Sequence, residues 1–160
     1  MSDDTQIYHG QCYCGSVKLT AEGAPFASGY CHCESCRRFH GTPMMAWSAW
    51  PADAVTVKGE TRTVTQCDAT HRVTCVNCGG KIMGIKPQDG VNVLFPSVLA
   101  GSGAPFEPMG HMYYDQRMLD IDDGLPKFAD KPEALGGSGR MSDAPARSGV
   151  RVDLQGLAAE

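Results

Sequence analysis

The six residues Cys31-His32-Cys33-Glu34-Ser35-Cys36 carry three thiols in the pattern C-x-C-x-x-C. Sulfurs this close in the chain can converge on one metal ion with almost no loop-closure cost. They suit a disulfide framework poorly, because neighbours in C-x-C bridge only with strain and one thiol is left over. Zinc takes four ligands in a tetrahedron, with sulfur at about 2.3 Å. This cluster supplies three, so its fourth position decides the chemistry. An open position lets a substrate reach the metal, whereas a closed one holds a fold.

Four further thiols come as two chelating pairs, Cys12-x-Cys14 and Cys75-x-x-Cys78, and each pair is followed directly by glycine. Two such pairs on facing turns make a closed four-cysteine zinc site that ties the start of the chain to its middle. The expected role of Cys12, Cys14, Cys75 and Cys78 is therefore structural. The remaining cysteine, Cys67, stands alone before Asp68-Ala69-Thr70 and reads as a plain thiol. For the Cys31, Cys33, Cys36 site, the fourth ligand is left open between Cys67, His40, water and substrate. His40 lies four residues after Cys36, on the same face if that turn is helical. His32 lies inside the C-x-C, so when both flanking sulfurs grip one ion its side chain points away.

Three thiolates on a divalent zinc leave a net negative site, a weak electrophile. Hydrolysis is disfavoured, and a soft, thiolate-rich site suits binding and delivering another thiol. Arg37 and Arg38 stand beside the cluster and offer bidentate binding of a substrate carboxylate, with solvated surface charge as the plain alternative. Trp47, Trp50, Phe95, His111 and Tyr113 are candidates for a pocket lining, although core packing accounts for each. His111 is the best of them for an acid–base role.

The elements that must position these groups read as short strands. Ile7 to Gln11 runs into the first thiol pair, and Ser16 to Thr20 alternates apolar and polar as a half-buried strand does. Ser28 to Cys31 is extended and delivers the first sulfur of the trio. Arg37 to His40 is one helical turn stopped by Gly41. Met44 to Trp50 is a nearly continuous apolar run and reads as a central strand. Residues 54–58 and 61–65 flank Gly59-Glu60 and predict a hairpin. Arg72-Val73-Thr74 leads into the second thiol pair, followed by strands at Lys81 to Ile85 and Val91 to Phe95. Met109 to Asp115 reads as a last aromatic strand. Short strands with Gly/Pro turns predict an all-β domain over residues 1–135. From Gly136 the chain turns to Gly, Ser, Ala and isolated charges, so 136–160 is expected to be a tail, with Val150 to Ala159 able to dock as a strand or helix.

Composition narrows the partners. The chain has 160 residues, 42% of them hydrophobic, and a formal net charge of −4 with no dense Lys/Arg block. That argues against nucleic acid, whose phosphates demand clustered positive charge. The acidic start Met1-Ser2-Asp3-Asp4 lacks the apolar run of a signal peptide, and no segment approaches a membrane span. The expected compartment is the cytoplasm, where thiols stay reduced and cysteine clusters bind metal. Oligomeric state stays open, with a dimer among the options.

The stretches His9 to Val17, Cys31 to Arg37 with Gly41, and Cys75 to Gly79 resemble the glutathione-dependent formaldehyde-activating enzyme family, and Leu125-Pro126-Lys127-Phe128 is similar to its C-terminal motif. The resemblance covers about Tyr8 to Phe128. It implies a β-tent of small stacked antiparallel sheets with few short helices. It implies two zinc ions, one structural at Cys12, Cys14, Cys75 and Cys78, and one catalytic at Cys31, Cys33 and Cys36. The implied activity is a carbon–sulfur lyase, condensing glutathione or a similar thiol with formaldehyde or another small aldehyde. Arg37 is then the residue expected to hold the glutathione. Two departures stand out. Gln116-Arg117-Met118-Leu119 replaces a Pro-Trp pair common in the family, and His40 occupies a position where a small or polar residue is expected. The competing reading is a non-catalytic zinc module, a thiol carrier or protein-interaction domain. A methionine sulfoxide reductase would need a late redox cysteine, and no cysteine follows Cys78.

Overall fold

The computed structural model describes residues 6–65 and 70–146. Cys67 and the segment Val150 to Ala159 lie outside the described residues. The architecture is all-β: the described residues form ten strands in two sheets with one short α-helix. The strands are β1 (Ile7–Gln11), β2 (Lys18–Glu22), β3 (Ala27–Cys31), β4 (Met45–Pro51), β5 (Val55–Lys58), β6 (Thr61–Val64), β7 (His71–Cys75), β8 (Lys81–Lys86), β9 (Val91–Leu94) and β10 (His111–Met112). The helix α1 spans Glu34–His40. One sheet runs β1-β2-β5 and the other β10-β3-β4-β9-β8-β7-β6. All pairings are antiparallel except β10 with β3, which is parallel.

The expected hairpin across Gly59-Glu60 does not form. β5 pairs with β2, placing Lys58 opposite Lys18, while β6 pairs with β7 in the other sheet, placing Thr61 opposite Cys75. Gly59 makes this crossover possible. Its φ is 115°, and a Cβ there would sit 2.5 Å from the Ser16 carbonyl oxygen. Only glycine combines that backbone with that approach. The turn signal was real, but it marks a passage between sheets.

The expected aromatic strand at Met109 to Asp115 is also much shorter. Its ladder is confined to His111 and Met112. Tyr113 then adopts a left-handed backbone, φ 55°, and residues 114–116 form a 3-10 turn. The second strand begins at Lys18 rather than Ser16, because the Cys12 to Val17 turn occupies the residues before it.

Two apolar cores result. The first packs Val17, Leu19, Trp50, Ile82, Leu94 and Leu99 between the sheets and includes Cys12 and Cys75. The second lies on one face of the larger sheet and joins Ala27, Met45, Trp47, Ala49 and Phe95 to Cys31. Of the described residues after Gly136, Met141 and Pro145 lie against the body: Phe128 bridges Met141, and the Pro145 carbonyl accepts from the buried Arg117. Among the described residues no helix is long and apolar enough to cross a membrane.

Candidate metal centres

The seven described cysteines are free thiols and fall into two groups. The first is Cys12, Cys14, Cys75 and Cys78, whose sulfurs all lie within 4.8 Å of one another. Two turns of matching build bring them together. Gly15 N–H donates to the Cys12 carbonyl and Gly79 N–H to the Cys75 carbonyl, at 3.1 and 2.9 Å, with both glycines at positive φ. The turns face each other closely, since a Cβ on Gly80 would lie 3.4 Å from the Tyr13 nitrogen. Cys12 and Cys14 sulfurs are 3.5 Å apart, and Cys14 and Cys75 sulfurs 3.9 Å apart. Four sulfurs on one tetrahedral zinc would stand about 3.8 Å from each other at the usual bond length. The donor set therefore fits zinc.

Backbone and side-chain donors already point at these sulfurs as they do at thiolates. Val17 N–H reaches Cys12 Sγ at 3.3 Å, Gly80 N–H reaches Cys78 Sγ at 3.4 Å, and Asn77 Nδ2 reaches Cys14 Sγ at 3.3 Å. The Ser16 hydroxyl and the Asn77 amide hold the Cys14 thiol down to about 5.

The second group is Cys31, Cys33 and Cys36, again with all sulfurs within 4.8 Å. Cys31 ends β3. Cys33 caps α1, its sulfur accepting from the Cys36 N–H at 3.3 Å, and Cys36 lies in the first turn. The helix ends at Gly41, left-handed at φ 63°, whose N–H returns to the Arg37 carbonyl. Helix and strand thus aim three sulfurs at one point with a single peptide arm between Cys31 and Cys33. Cys33 is pulled down to about 2 by hydrogen bonds from the Cys31 and Cys36 thiols. Cys31 is pushed up, chiefly by its contacts with Cys33 and Cys36. For Cys36 the contact with Cys31 lowers the pKa, but Cys33 and burial raise it overall. The three thiols share their protons, so ionising one opposes ionising the others. Loading a metal must displace the protons that remain.

His32 points away from the sulfurs, as expected from alternation along an extended chain. It is fully buried on the opposite side, with its Nε2 2.9 Å from Nδ1 of His111, also fully buried. His111 Nε2 in turn lies 2.8 Å from the Asp123 carboxylate. Burial, followed by the charges of His111, Arg117 and Arg37, lowers His32 to about 4. His40 does not join the trio. Its ring stands edge-on to Phe95 at 4.4 Å, its Nε2 is buried without a partner, and burial lowers it to about 4.

Arg37 turns its Nε back to the His32 carbonyl, at 3.0 Å, and Arg38 pairs with Glu34 on the surface. Arg72 was not singled out in the sequence. It is 6% exposed, donates to Ser35 Oγ at 3.0 Å, reaches Cys36 Sγ at 4.0 Å and lies over the Phe39 ring. A charged residue in a short strand is a weak signal, and only the fold shows that it faces α1. Trp47 and Phe95 lie in the core with Cys31, whereas Trp50 belongs to the other core. Tyr113 packs against the Cys31 core, and burial and the three thiols raise its phenol.

A model of the glutathione-dependent formaldehyde-activating enzyme family matches residues 7–116, which include both thiol groups. The chain belongs to this family. It is also 31% identical over 72 residues to an uncharacterised lyase of Schizosaccharomyces pombe, a stretch covering 45% of this chain and 53% of that protein. The chain thus spans about half the length of that relative. The family match ends before Asp123, so the carboxylate that anchors the buried histidines lies beyond the matched residues.

Proposed function

We propose that this protein is a zinc-dependent carbon–sulfur lyase that joins a thiol, glutathione or one like it, with formaldehyde or another small aldehyde at Cys31, Cys33 and Cys36. One observation carries the reading: three sulfurs converge, and no fourth described residue joins them, whereas the other group already offers four. We assign the four-thiol group to a structural zinc and the trio to a catalytic one. Bound there, zinc would supply the charge that keeps an incoming thiol deprotonated at neutral pH.

The protein groups have separate tasks. Met45, Trp47 and Phe95 make the apolar wall behind Cys31 and keep water from it. Arg72 holds the first turn of α1 through Ser35 and so keeps Cys36 in place. Of the Arg37 donors only Nε is engaged among the described residues, and its outer nitrogens are the ones we assign to a substrate carboxylate. Tyr113 keeps its proton at neutral pH, and we assign it as donor to the aldehyde oxygen. In the reaction the new S–C bond forms while the carbonyl pair moves to oxygen. The thiol proton ends on that oxygen, giving an S-hydroxymethyl product, and nothing is oxidised or reduced. Holding both reactants beside one another accounts for much of such an acceleration.

The test is exchange NMR on the zinc-loaded chain with glutathione and formaldehyde. Magnetisation transfer between free aldehyde and thiol adduct should quicken with protein, and Cys31→Ser should abolish the effect. Equal exchange rates with and without the loaded protein would overturn the assignment.

A further inference from the structure

The peptide arm between Cys31 and Cys33 is held from several sides. His32 N–H donates to the Met112 carbonyl at 2.9 Å, and the His32 carbonyl accepts from Arg37. Its imidazole is held from behind by His111. His111 is itself fixed by backbone bonds at both ends of one residue: its N–H to the Pro126 carbonyl and its carbonyl from Phe128 N–H, each at 2.8 Å. Asp123 then takes the His111 ring on Oδ2, while its Oδ1 accepts from the Leu125 N–H and from Lys127 Nζ. Burial raises the Asp123 carboxyl, but the bonds from Lys127 and His111 outweigh it and hold it well below the usual range.

The bonding logic sets a direction. An ionised carboxylate only accepts, so His111 donates from Nε2, and a ring with that one proton accepts at Nδ1. His32 then carries its proton on Nε2. Its Nδ1 is left a bare, buried acceptor with no partner, which costs stability. A fold that keeps such an atom gains something from the rest of the chain of bonds. The Leu125 to Phe128 stretch, otherwise without a task, is the frame that holds its outer end.

We propose that Asp123 and His111 are positioning residues for the three-thiol centre, acting through the His32 ring to fix the Cys31–Cys33 arm from the face opposite the sulfurs. This rests on the reading of the trio as a metal site. Groups that orient a metal's ligands change metal affinity by roughly tenfold to a hundredfold when removed. Here the effect must be confined to one centre, because the four-thiol group lies in the other core.

The experiment compares the full zinc-loaded chain with His111→Phe, Asp123→Leu and Asp123→Asn in chelator-driven zinc release. The wild-type release phase that is missing from Cys31→Ser, which should hold one zinc equivalent instead of two, is the phase that belongs to the trio. That phase should quicken about tenfold to a hundredfold in His111→Phe and Asp123→Leu, and return close to wild type in Asp123→Asn, which keeps an acceptor oxygen. The other phase should not move. Asp123 is partly exposed, so its variants report even if His111→Phe fails to fold. Equal acceleration of both phases, or none, overturns the proposal while leaving the metal-site reading intact. A wild-type chain with no zinc on the trio removes both. Nitrogen-15 NMR of the imidazoles adds a readout free of metal. His32 should carry its proton on Nε2, and a proton on Nδ1 contradicts the proposed chain.

Discussion

His32 and His111 stand 79 residues apart in sequence, yet their ring nitrogens meet at 2.9 Å in the interior. The contact joins the arm between Cys31 and Cys33, just past β3, to the start of β10, the strand that runs parallel to β3. Both rings are sealed from solvent, and Tyr114 stands edge-on to each. A bond of this kind fixes not just a distance but the orientation of the peptide between two ligands.

The two thiol groups should separate cleanly under mutation. Metal analysis is expected to find two zinc ions per chain. Cys31→Ser should lose one and keep a cooperative thermal transition. Cys75→Ser should lose that transition altogether, because a structural zinc contributes on the order of 10 kcal/mol to folding. Calorimetry and metal content on both variants check this, and equal unfolding of the two would contradict the division of roles.

Stability should fall in mild acid for a reason separate from metal loss. His32 and His40 are each lowered from 6.5 to about 4 by burial, so the unfolded chain takes up their protons first. Between about pH 6.5 and 4 the unfolded state binds more protons than the folded one, and stability rises with pH over that window. Thermal midpoints measured from pH 7 to pH 4.5 should drop, and His40→Gln should flatten part of the slope. An unchanged slope would show that His40 titrates normally.

Gly59→Ala should destabilise the chain by about 2 kcal/mol or more, since the new Cβ must find room beside the Ser16 carbonyl at an unfavourable φ. Urea unfolding of the variant gives the figure directly. A neutral outcome would mean that the crossover between sheets bends more freely than its geometry implies.

Leu94, fully buried between the sheets, should cost about 2–5 kcal/mol when cut to alanine. Ser97, in the 3-10 turn just beyond, is exposed and should tolerate alanine within about 0.5 kcal/mol. The pair calibrates the other measurements in the same denaturant.

Much of this architecture is legible in the sequence because its signals are local. The thiol spacings alone group Cys12, Cys14, Cys75 and Cys78 apart from Cys31, Cys33 and Cys36, and Gly41 ends α1 as its position suggests. Alternation is enough to turn His32 away from the sulfurs. What escaped notice depends on long-range placement. Gly59-Glu60 carries every mark of a hairpin, and only the pairing of β5 with β2 shows otherwise. Arg72 and Asp123 look like ordinary charges until the fold brings one under α1 and the other against His111. Tyr113 sits within an aromatic run suited to a strand, yet its left-handed backbone breaks that strand.

The crossover at Gly59 also sets an order of events on the ribosome. All three thiols of the trio are in the chain once Cys36 is made, whereas Cys14 must wait for Cys75, 61 residues later, before their sulfurs can meet. At roughly 5–20 residues per second, about 40 residues of synthesis separate the two moments by some seconds. The nascent chain therefore offers a metal-hungry trio well before the stitch that locks its sheets together exists. Co-translational metal supply would reach the three-thiol group first and the four-thiol group last.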